Sequence, residues 1–271
     1  MSRIFDAMNR AHGLELVSPA RREPPSYDLI PKSSANGFRK LTLTHDPNAR
    51  TIFRTEPKGV AAEQFRLLRR KLAAQYPQGS SLVVSSPAAG DGKTFSAVNL
   101  AWALAEKKLP TLLVECDLRR PSIARFLGCS VAQGMESLAS EKVEPEDAVA
   151  AIDGLPLYVA MVAKAHTDPV RFFNSADVKK FFVWARSKFQ WLIIDAPPIF
   201  PFSDVAELCS FAEGVLLVIR ARRTSRELMT KSFEALGDRV RGVILNEATL
   251  CLDSYYRYLG RYPVDPNPKD K

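Results

Sequence analysis

Apolar residues follow two different spacings along residues 59–246. Continuous apolar runs bounded by turn residues predict strands buried on both faces of a sheet. These runs lie at residues 82–84, 110–116, 155–162, 191–194, 214–220 and 240–245. Segments with apolar residues at helical spacing lie at residues 59–76, 95–107, 122–128, 134–151, 168–188, 203–211 and 224–236. The alternation predicts an α/β fold with a mostly parallel central sheet, flanked by helices and joined by right-handed crossovers.

Residues 1–57 differ in composition from this alternating region. Prolines interrupt the stretch and large apolar residues are sparse, which predicts a flexible tether. Its start could form a short helix, either a docking helix for a partner or a frayed end, with an apolar face made of Ile4, Phe5, Met8 and Ala11. The predicted folded domain therefore covers residues 58–250, and a tail follows at residues 251–271.

Residues 86–94, with the sequence SPAAGDGKT, connect the first apolar run to a predicted helix. This layout is typical of phosphate binding, because loop N–H groups and the positive end of the helix face one anion. Lys93 would reach the β- and γ-phosphates, and the Thr94 hydroxyl would bind Mg²⁺. The strict pattern has glycine at the position of Pro87, so an ordinary turn with an exposed lysine is the competing interpretation. The expected ATP-binding residues are Ala89, Gly90, Asp91, Gly92, Lys93, Thr94 and Phe95.

Polar side chains stand where three of the predicted strands end. Glu115 and Asp117 are two residues apart, so on a strand they share one face. Asp195 follows the apolar run at residues 191–194, and Asn246 follows the run at residues 240–245. Because α/β proteins bind ligands at the carboxyl ends of parallel strands, the three acids predict Mg²⁺ binding and base chemistry. The Asn246 amide can contact the edge of a base through one donor and one acceptor.

A charged ridge lies on the predicted helix at residues 59–76. Glu63, Arg66 and Arg69 are spaced three residues apart and therefore share a face. By physical chemistry alone, such a run is typical of a solvated helix surface. A binding surface is the alternative.

The tail contains four of the seven tyrosines of the chain. Prolines follow them, which favours an open chain. An aromatic segment docked on the core would have the same composition. Close to a phosphate-binding loop, however, exposed tyrosines are candidate phosphoryl acceptors. These residues are Tyr255, Tyr256, Tyr258 and Tyr262.

The formal net charge is +8 and the pI is about 9.4. A basic balance favours anionic partners such as nucleotides, acidic proteins, nucleic acid or a membrane leaflet, without choosing among them. The cysteines form no C-x-x-C pair, which suits a reducing compartment. No run reaches the ~18 apolar residues of a membrane span, and the N-terminus lacks a secretory apolar region. We therefore expect a cytoplasmic protein that reaches the inner face of the cell membrane only through a partner.

Residues 86–94, 113–121 and 193–198 resemble the Walker A, A′ and B motifs of bacterial tyrosine kinases. These P-loop kinases are tied to capsule and exopolysaccharide synthesis. The charged ridge and the tyrosine-rich tail match the same family, so the resemblance covers residues 60–262. It implies a P-loop NTPase fold of the MinD/ParA type.

The resemblance also implies a mechanism that uses ATP and Mg²⁺. Lys93 would stabilise the transferring phosphoryl group, while Thr94, Asp117 and Asp195 would hold Mg²⁺. Glu115, as the first acid of the A′ motif, would deprotonate the acceptor tyrosine. Asn246 matches a position that contacts adenine in the wider superfamily.

The implied assembly is a homo-oligomeric ring that phosphorylates its own tails and regulates polysaccharide synthesis. Glu63, Arg66 and Arg69 would lie at the subunit interface. A membrane adaptor of the polysaccharide co-polymerase type would complete the active site, and no nucleic-acid partner is expected. The acceptors would be Tyr255, Tyr256, Tyr258 and Tyr262.

Two departures from the family pattern, Glu115 and the shifted loop proline at Pro87, keep other functions open. The family has aspartate where this chain has Glu115, one methylene longer, which predicts reduced kinase activity. The family also often needs an activating adaptor, so weak activity of the protein alone is expected. A kinase-impaired, ATP-binding scaffold of an export complex is therefore one alternative. A partitioning-type ATPase is another, but those proteins carry a signature lysine at the position of Ala88.

Overall fold

The computed structural model describes residues 37–43, 50–131, 134–139, 143–166, 168–202 and 204–248. Among these residues one sheet contains all the strands. The strands are β1 Arg39–Leu41, β2 Ser80–Ser85, β3 Thr111–Glu115, β4 Ala150–Ile152, β5 Leu157–Ala160, β6 Trp191–Asp195, β7 Gly214–Arg220 and β8 Val240–Asn246. Their order across the sheet is β1-β4-β5-β3-β6-β2-β7-β8. Every pair is parallel except β4 with β5, so the predicted mostly parallel α/β sheet is confirmed.

Helices cover both faces of this sheet. They are α1 Ile52–Thr55, α2 Val60–Gln75, α3 Lys93–Glu106, α4 Ile123–Leu127, α5 Pro169–Asn174, α6 Ala176–Lys188, α7 Asp204–Leu208 and α8 Arg226–Leu236. Short 3₁₀ helices lie at Met135–Ala139, Pro145–Ala148, Cys209–Phe211 and Gly237–Arg239. No helix among the described ranges is long and apolar enough to cross a membrane.

The buried core has two halves, one on each side of the sheet. Because successive strand side chains point to opposite faces, Val83 packs with α5, α6 and α8, whereas Leu82 and Val84 pack with α2 and α3. The inner strands are apolar on both faces for this reason. The continuous apolar runs of the sequence therefore identified the central strands correctly.

Two segments differ from their predicted structure. Residues 134–151 were predicted to be helical, but they form two 3₁₀ helices and then strand β4. The predicted helix at residues 168–188 is divided between α5 and α6, because the backbone at Ser175 is extended rather than helical. Ser175 precedes the first residue of α6, so it ends one helix and begins the next.

The described part of the predicted tether is packed on the domain. Arg39–Leu41 pairs with β4, and the Phe38 ring lies 5.1 Å from that of Tyr158. Ile52 and Phe53 are buried against α2 and α3. The folded unit therefore begins before the expected boundary at residue 58, because a few aromatic and aliphatic residues anchor this stretch. Residues 1–36 and 44–49 lie outside the described residues.

Strand order brings the polar strand ends together. β6 lies between β2 and β3, and the backbone register places Glu115 beside Asp195 and Val84 beside Asp195. The loop after β2 and the acids after β3 and β6 therefore meet at one edge of the sheet. This edge is where α/β proteins bind their ligands.

Candidate functional site

The loop between β2 and α3 depends on glycine at two positions. Gly90 and Gly92 have φ angles of +87° and +99°, a region that favours glycine. A Cβ atom on Gly92 would lie 2.1 Å from the Nδ2 atom of Asn246. The loop therefore follows a backbone path that other residues rarely adopt, and it ends at the first residue of α3, whose first turn offers N–H groups without helical partners.

Polar contacts from the β7 and β8 ends hold this loop in place. The buried Asp91 carboxylate accepts the Ala88 N–H at 3.0 Å and the Thr224 hydroxyl at 3.0 Å. The Asn246 amide donates to the Asp91 carbonyl at 2.9 Å. Arg220 donates to the Gly90 carbonyl at 3.1 Å. The loop is thus preorganised before any phosphate binds.

Lys93 is buried at the start of α3 and forms an ion pair. Its Nζ atom lies 2.6 Å from Oδ2 of Asp117 and 3.5 Å from the Thr94 hydroxyl. Burial opposes the charge on Lys93, but the carboxylates of Asp195 and Asp117 outweigh burial and raise its pKa. The lysine therefore stays protonated and places a positive charge at the phosphate-binding loop.

Asp195 is completely buried at the end of β6. Neither carboxylate oxygen has a hydrogen-bond partner in the described part of the chain. Burial raises the pKa of Asp195 to about 6, against the opposite effect of Lys93. The Thr94 hydroxyl also lowers this pKa, although it lies outside hydrogen-bonding geometry. A buried carboxylate without donors is unusual and implies a missing ligand.

Mg²⁺ fits this set of oxygens. No three His, Cys, Asp or Glu side chains of the described ranges are arranged to bind a metal by themselves. Mg²⁺ does not need such a cluster, because it keeps several waters and uses one or two carboxylates with substrate phosphates. Asp195, with two unpartnered oxygens, and the Thr94 hydroxyl supply what such a site requires. Asp117 is bound to Lys93 instead.

Glu115 does not fit its expected role as the base. Its Oε1 atom accepts the N–H groups of Ser122 and, at 2.7 Å, Ile123. Its Oε2 atom accepts the Val162 N–H at 3.0 Å. Burial raises the pKa of Glu115 to about 7, although these three backbone donors lower it. The carboxylate therefore lies at the predicted sheet edge, but backbone N–H groups occupy three of its roughly four acceptor sites.

Two other expected nucleotide contacts have structural partners. The Phe95 ring packs edge-on against Phe65, with 6.0 Å between ring centroids, so it belongs to the α2–α3 contact. The Asn246 amide nitrogen donates to the Asp91 carbonyl of the loop backbone. Contacts of these residues with ATP stay predictions, as does the contribution of the exposed Ala89.

The charged ridge on α2 makes contacts within the chain. Arg66 forms a bidentate ion pair with Glu106 on α3, with Nε 2.9 Å from Oε2 and Nη2 2.7 Å from Oε1. It also pairs with Glu63. Arg69 is buried and donates to the Ala103 carbonyl at 2.8 Å and to Glu106 at 3.2 Å. The ridge therefore joins α2 to α3. Its predicted role between subunits is not tested by these contacts.

Sequence inspection missed three residues of this region. Arg220 and Thr224 hold the loop from the β7–α8 connection, and Ser122 donates to the Thr94 hydroxyl at 3.4 Å. No local motif marks these positions, since each contact joins distant parts of the chain. The four predicted acceptor tyrosines lie outside the described residues.

Comparison with known proteins matches this chain to a nucleotide-binding family. The family described as the CobQ/CobB/MinD/ParA nucleotide binding domain matches residues 82–250. Tyrosine-protein kinase YwqD of Bacillus subtilis is 31% identical over 214 residues, which cover 77% of this chain and 90% of that protein.

A longer relative and a solved structure are also named as kinases. Tyrosine-protein kinase ptk of Acinetobacter johnsonii is 25% identical over 82% of this chain, but the chain spans only 31% of that protein. The crystal structure of the VpsO kinase domain is 30% identical, with a TM-score of 0.65, over 73% of this chain and 99% of that domain. The similarity therefore spans most of YwqD and of the VpsO kinase domain, but less than a third of ptk.

Proposed function

This chain belongs to the CobQ/CobB/MinD/ParA nucleotide-binding family and, within it, to the bacterial tyrosine-protein kinases, and we propose that it phosphorylates tyrosines of its own C-terminal tail. The observation that carries the proposal is the buried Lys93–Asp117 pair, 2.6 Å apart, beside the unpartnered carboxylate of Asp195. A phosphate-binding lysine, a metal-binding acid and a second acid are thereby held within one preorganised site.

ATP would bind with its phosphates on the glycine loop and the first turn of α3. Lys93 would turn from Asp117 toward the β- and γ-phosphates and stabilise the charge of the transferring group. Thr94 and Asp195 would hold Mg²⁺, which neutralises charge on the phosphates when bound. Separation from Lys93 frees the Asp117 carboxylate, which then has an oxygen able to accept a proton.

Phosphoryl transfer would occur by direct attack of the tyrosine oxygen on the γ-phosphate of ATP. The tyrosine oxygen forms a bond to the γ-phosphorus, and the bond from that phosphorus to the β–γ bridging oxygen breaks, releasing ADP. The tyrosine proton passes to Asp117 rather than to Glu115, whose oxygens are engaged with backbone donors. The protein's contribution is therefore positioning and charge stabilisation.

Assembly and location form the wider part of the proposal. The family resemblance supports a homo-oligomeric ring, an adaptor that recruits it to the inner face of the membrane, and control of capsule or exopolysaccharide synthesis. Phosphates on Tyr255, Tyr256, Tyr258 and Tyr262 would repel one another and weaken tail docking. The ring would then dissociate as the tail becomes phosphorylated.

One labelling experiment tests the proposed activity. Full-length wild type, Lys93→Met and a variant with the four tail tyrosines changed to phenylalanine are incubated with radiolabelled ATP and Mg²⁺, with and without an adaptor fragment. We expect label on tail tyrosines of the wild type only. ATP binding without any phosphotyrosine under every condition would contradict the proposal.

The engaged carboxylate of Glu115 favours a second candidate, an ATP-switched scaffold without kinase activity. That function predicts nucleotide-dependent assembly with no label on the tail. A partitioning-type ATPase has no such observation in its favour, because Ala88 stands at the signature lysine position. ATP hydrolysis that is stimulated by DNA would support a partitioning-type ATPase.

A further inference from the structure

Glu115 connects three backbone segments at the edge of the site. Its two oxygens bind the N–H groups of Ser122 and Ile123, which begin α4, and of Val162, which follows β5. The side chain is fully buried. A carboxylate that accepts three backbone donors in the interior fixes the position of each segment, because an unpaired buried N–H group is costly.

One consequence of this anchoring lies in the site itself. Ser122 stands between Glu115 and the phosphate-binding loop: its backbone N–H is held by Glu115, and its hydroxyl donates to the Thr94 hydroxyl at 3.4 Å. Thr94 lies next to Lys93 at the start of α3. The Lys93 Nζ atom is the other donor to the Thr94 oxygen, at 3.5 Å, so one lone pair of that oxygen becomes free for a metal when Lys93 turns to the phosphates.

We propose that Ser122 is a positioning residue that orients the Thr94 hydroxyl toward Mg²⁺, and that Glu115 acts by holding Ser122 in place rather than as the catalytic base. The longer glutamate side chain reaches both α4 and the segment after β5. This inference rests on the proposed function for its site, but it concerns metal binding and does not require phosphoryl transfer. Residues that orient a metal ligand typically change metal affinity 10–100-fold when removed.

The test measures how strongly nucleotide binding depends on Mg²⁺. A fluorescent ATP analogue is titrated into the full chain at increasing Mg²⁺ concentration, and also in EDTA. We expect Ser122→Ala to raise the half-saturating Mg²⁺ concentration about tenfold, without changing affinity in EDTA. Ser122→Thr, which keeps a hydroxyl, should restore the wild-type value. The control is Ser210→Ala, an exposed serine whose hydroxyl bonds to the Glu207 carbonyl.

Glu115→Gln tests the second half of the proposal. Glutamine keeps the shape but has one acceptor oxygen, so it cannot accept all three N–H groups. We expect it to raise the half-saturating Mg²⁺ concentration, and to add little to Ser122→Ala in the double variant. Its matched control is Glu136→Gln, a carboxylate that holds Ala163 and Lys164 in the same segment after β5.

The outcomes separate the alternatives. If Glu115 positions Ser122, saturating Mg²⁺ restores phosphotyrosine formation in Glu115→Gln. If Glu115 is the base, activity stays lost at every Mg²⁺ concentration, which overturns this role. If Ser122→Ala and Ser210→Ala have the same half-saturating Mg²⁺ concentration, the role of Ser122 is overturned. This result does not depend on whether Glu115→Gln folds. If the Mg²⁺ shifts occur but no protein forms phosphotyrosine, the proposed kinase function fails while this inference stands.

Discussion

The Lys93 ammonium and the Asp117 carboxylate form a buried ion pair with 2.6 Å between Nζ and Oδ2. Such a pair gains little over apolar residues, but removing one member leaves a buried charge without its partner. The pair therefore keeps the lysine charge beside the glycine loop, and under the proposed function a phosphate of ATP would replace the carboxylate. Its role in binding and its cost in stability can be measured separately.

Removal of the Asp117 charge should destabilise the protein and impair transfer. We expect Asp117→Asn to lower the free energy of unfolding by about 3 kcal/mol, because Lys93 loses its nearest counter-charge. Urea denaturation at pH 7.5 measures this. The double variant Lys93→Met with Asp117→Asn should lose less than the sum of the single changes. Additive losses would show that the two side chains do not stabilise each other.

Gly92 should be irreplaceable for a geometric reason. We expect Gly92→Ala to weaken nucleotide binding at least tenfold, since a Cβ atom would overlap the Asn246 amide at 2.1 Å. Gly154→Ala is the control: its φ is also positive, at +79°, but its Cβ atom would meet nothing within 4 Å. That variant should lose about 1 kcal/mol of stability and keep its nucleotide affinity. Equal affinities of both variants would contradict the overlap.

Asp195 should make stability depend on pH in an unusual direction. Burial raises the pKa of this carboxyl to about 6 from its ordinary 3.8, so the folded state holds the proton more tightly than the unfolded state. Its contribution to stability is therefore present below pH 4 and is lost as pH rises through 6. Asp195→Asn has no carboxyl at this position, so its stability does not fall in this way as pH rises. Relative to wild type, the variant should become more stable by roughly 2–3 kcal/mol between pH 4 and pH 7.5.

The same titration should be visible in ligand binding. Mg²⁺ binds the ionised carboxylate, so Mg²⁺-dependent nucleotide affinity of the wild type should rise as pH increases through 6. Asp195→Asn should bind nucleotide weakly and without this rise. Urea curves and fluorescent nucleotide titrations at matched pH values test both statements. A difference in unfolding free energy that does not change with pH would contradict the assignment.

Arg69 should contribute to the monomer fold. Its buried guanidinium bonds to the Ala103 carbonyl and to Glu106, so Arg69→Ala should destabilise the protein by roughly 2 kcal/mol. Lys71→Ala, an exposed residue of the same helix, should change stability by less than about 0.5 kcal/mol. Light scattering of both variants shows whether assembly also changes. If Arg69→Ala keeps the stability of the wild type but no longer forms the proposed oligomer, the residue belongs to the subunit interface alone.

The limits of sequence interpretation appear most clearly at Glu115 and at β1. Glu115 was correctly placed at a strand end beside Asp195, but its backbone partners, Ser122 and Val162, carry no motif and could not be predicted from the sequence. Residues 39–41 were assigned to a tether because three residues give too short a pattern to reveal a strand. Their pairing depends on β4, which was itself missed within a predicted helical stretch.

The sequence by itself determined the alternating fold, the phosphate-binding loop and the acids at the strand ends. These features are local: apolar runs specify buried strands, and glycine, lysine and threonine at fixed spacing specify the loop. Only the tertiary structure decided what each polar group contacts. Thr224 meets Asp91 across 133 positions, Val162 meets Glu115 across 47, and Arg66 meets Glu106 across 40. Such partners are chosen by the packing of distant segments, because hydrogen bonds need atoms within ~3 Å, whatever their separation along the chain.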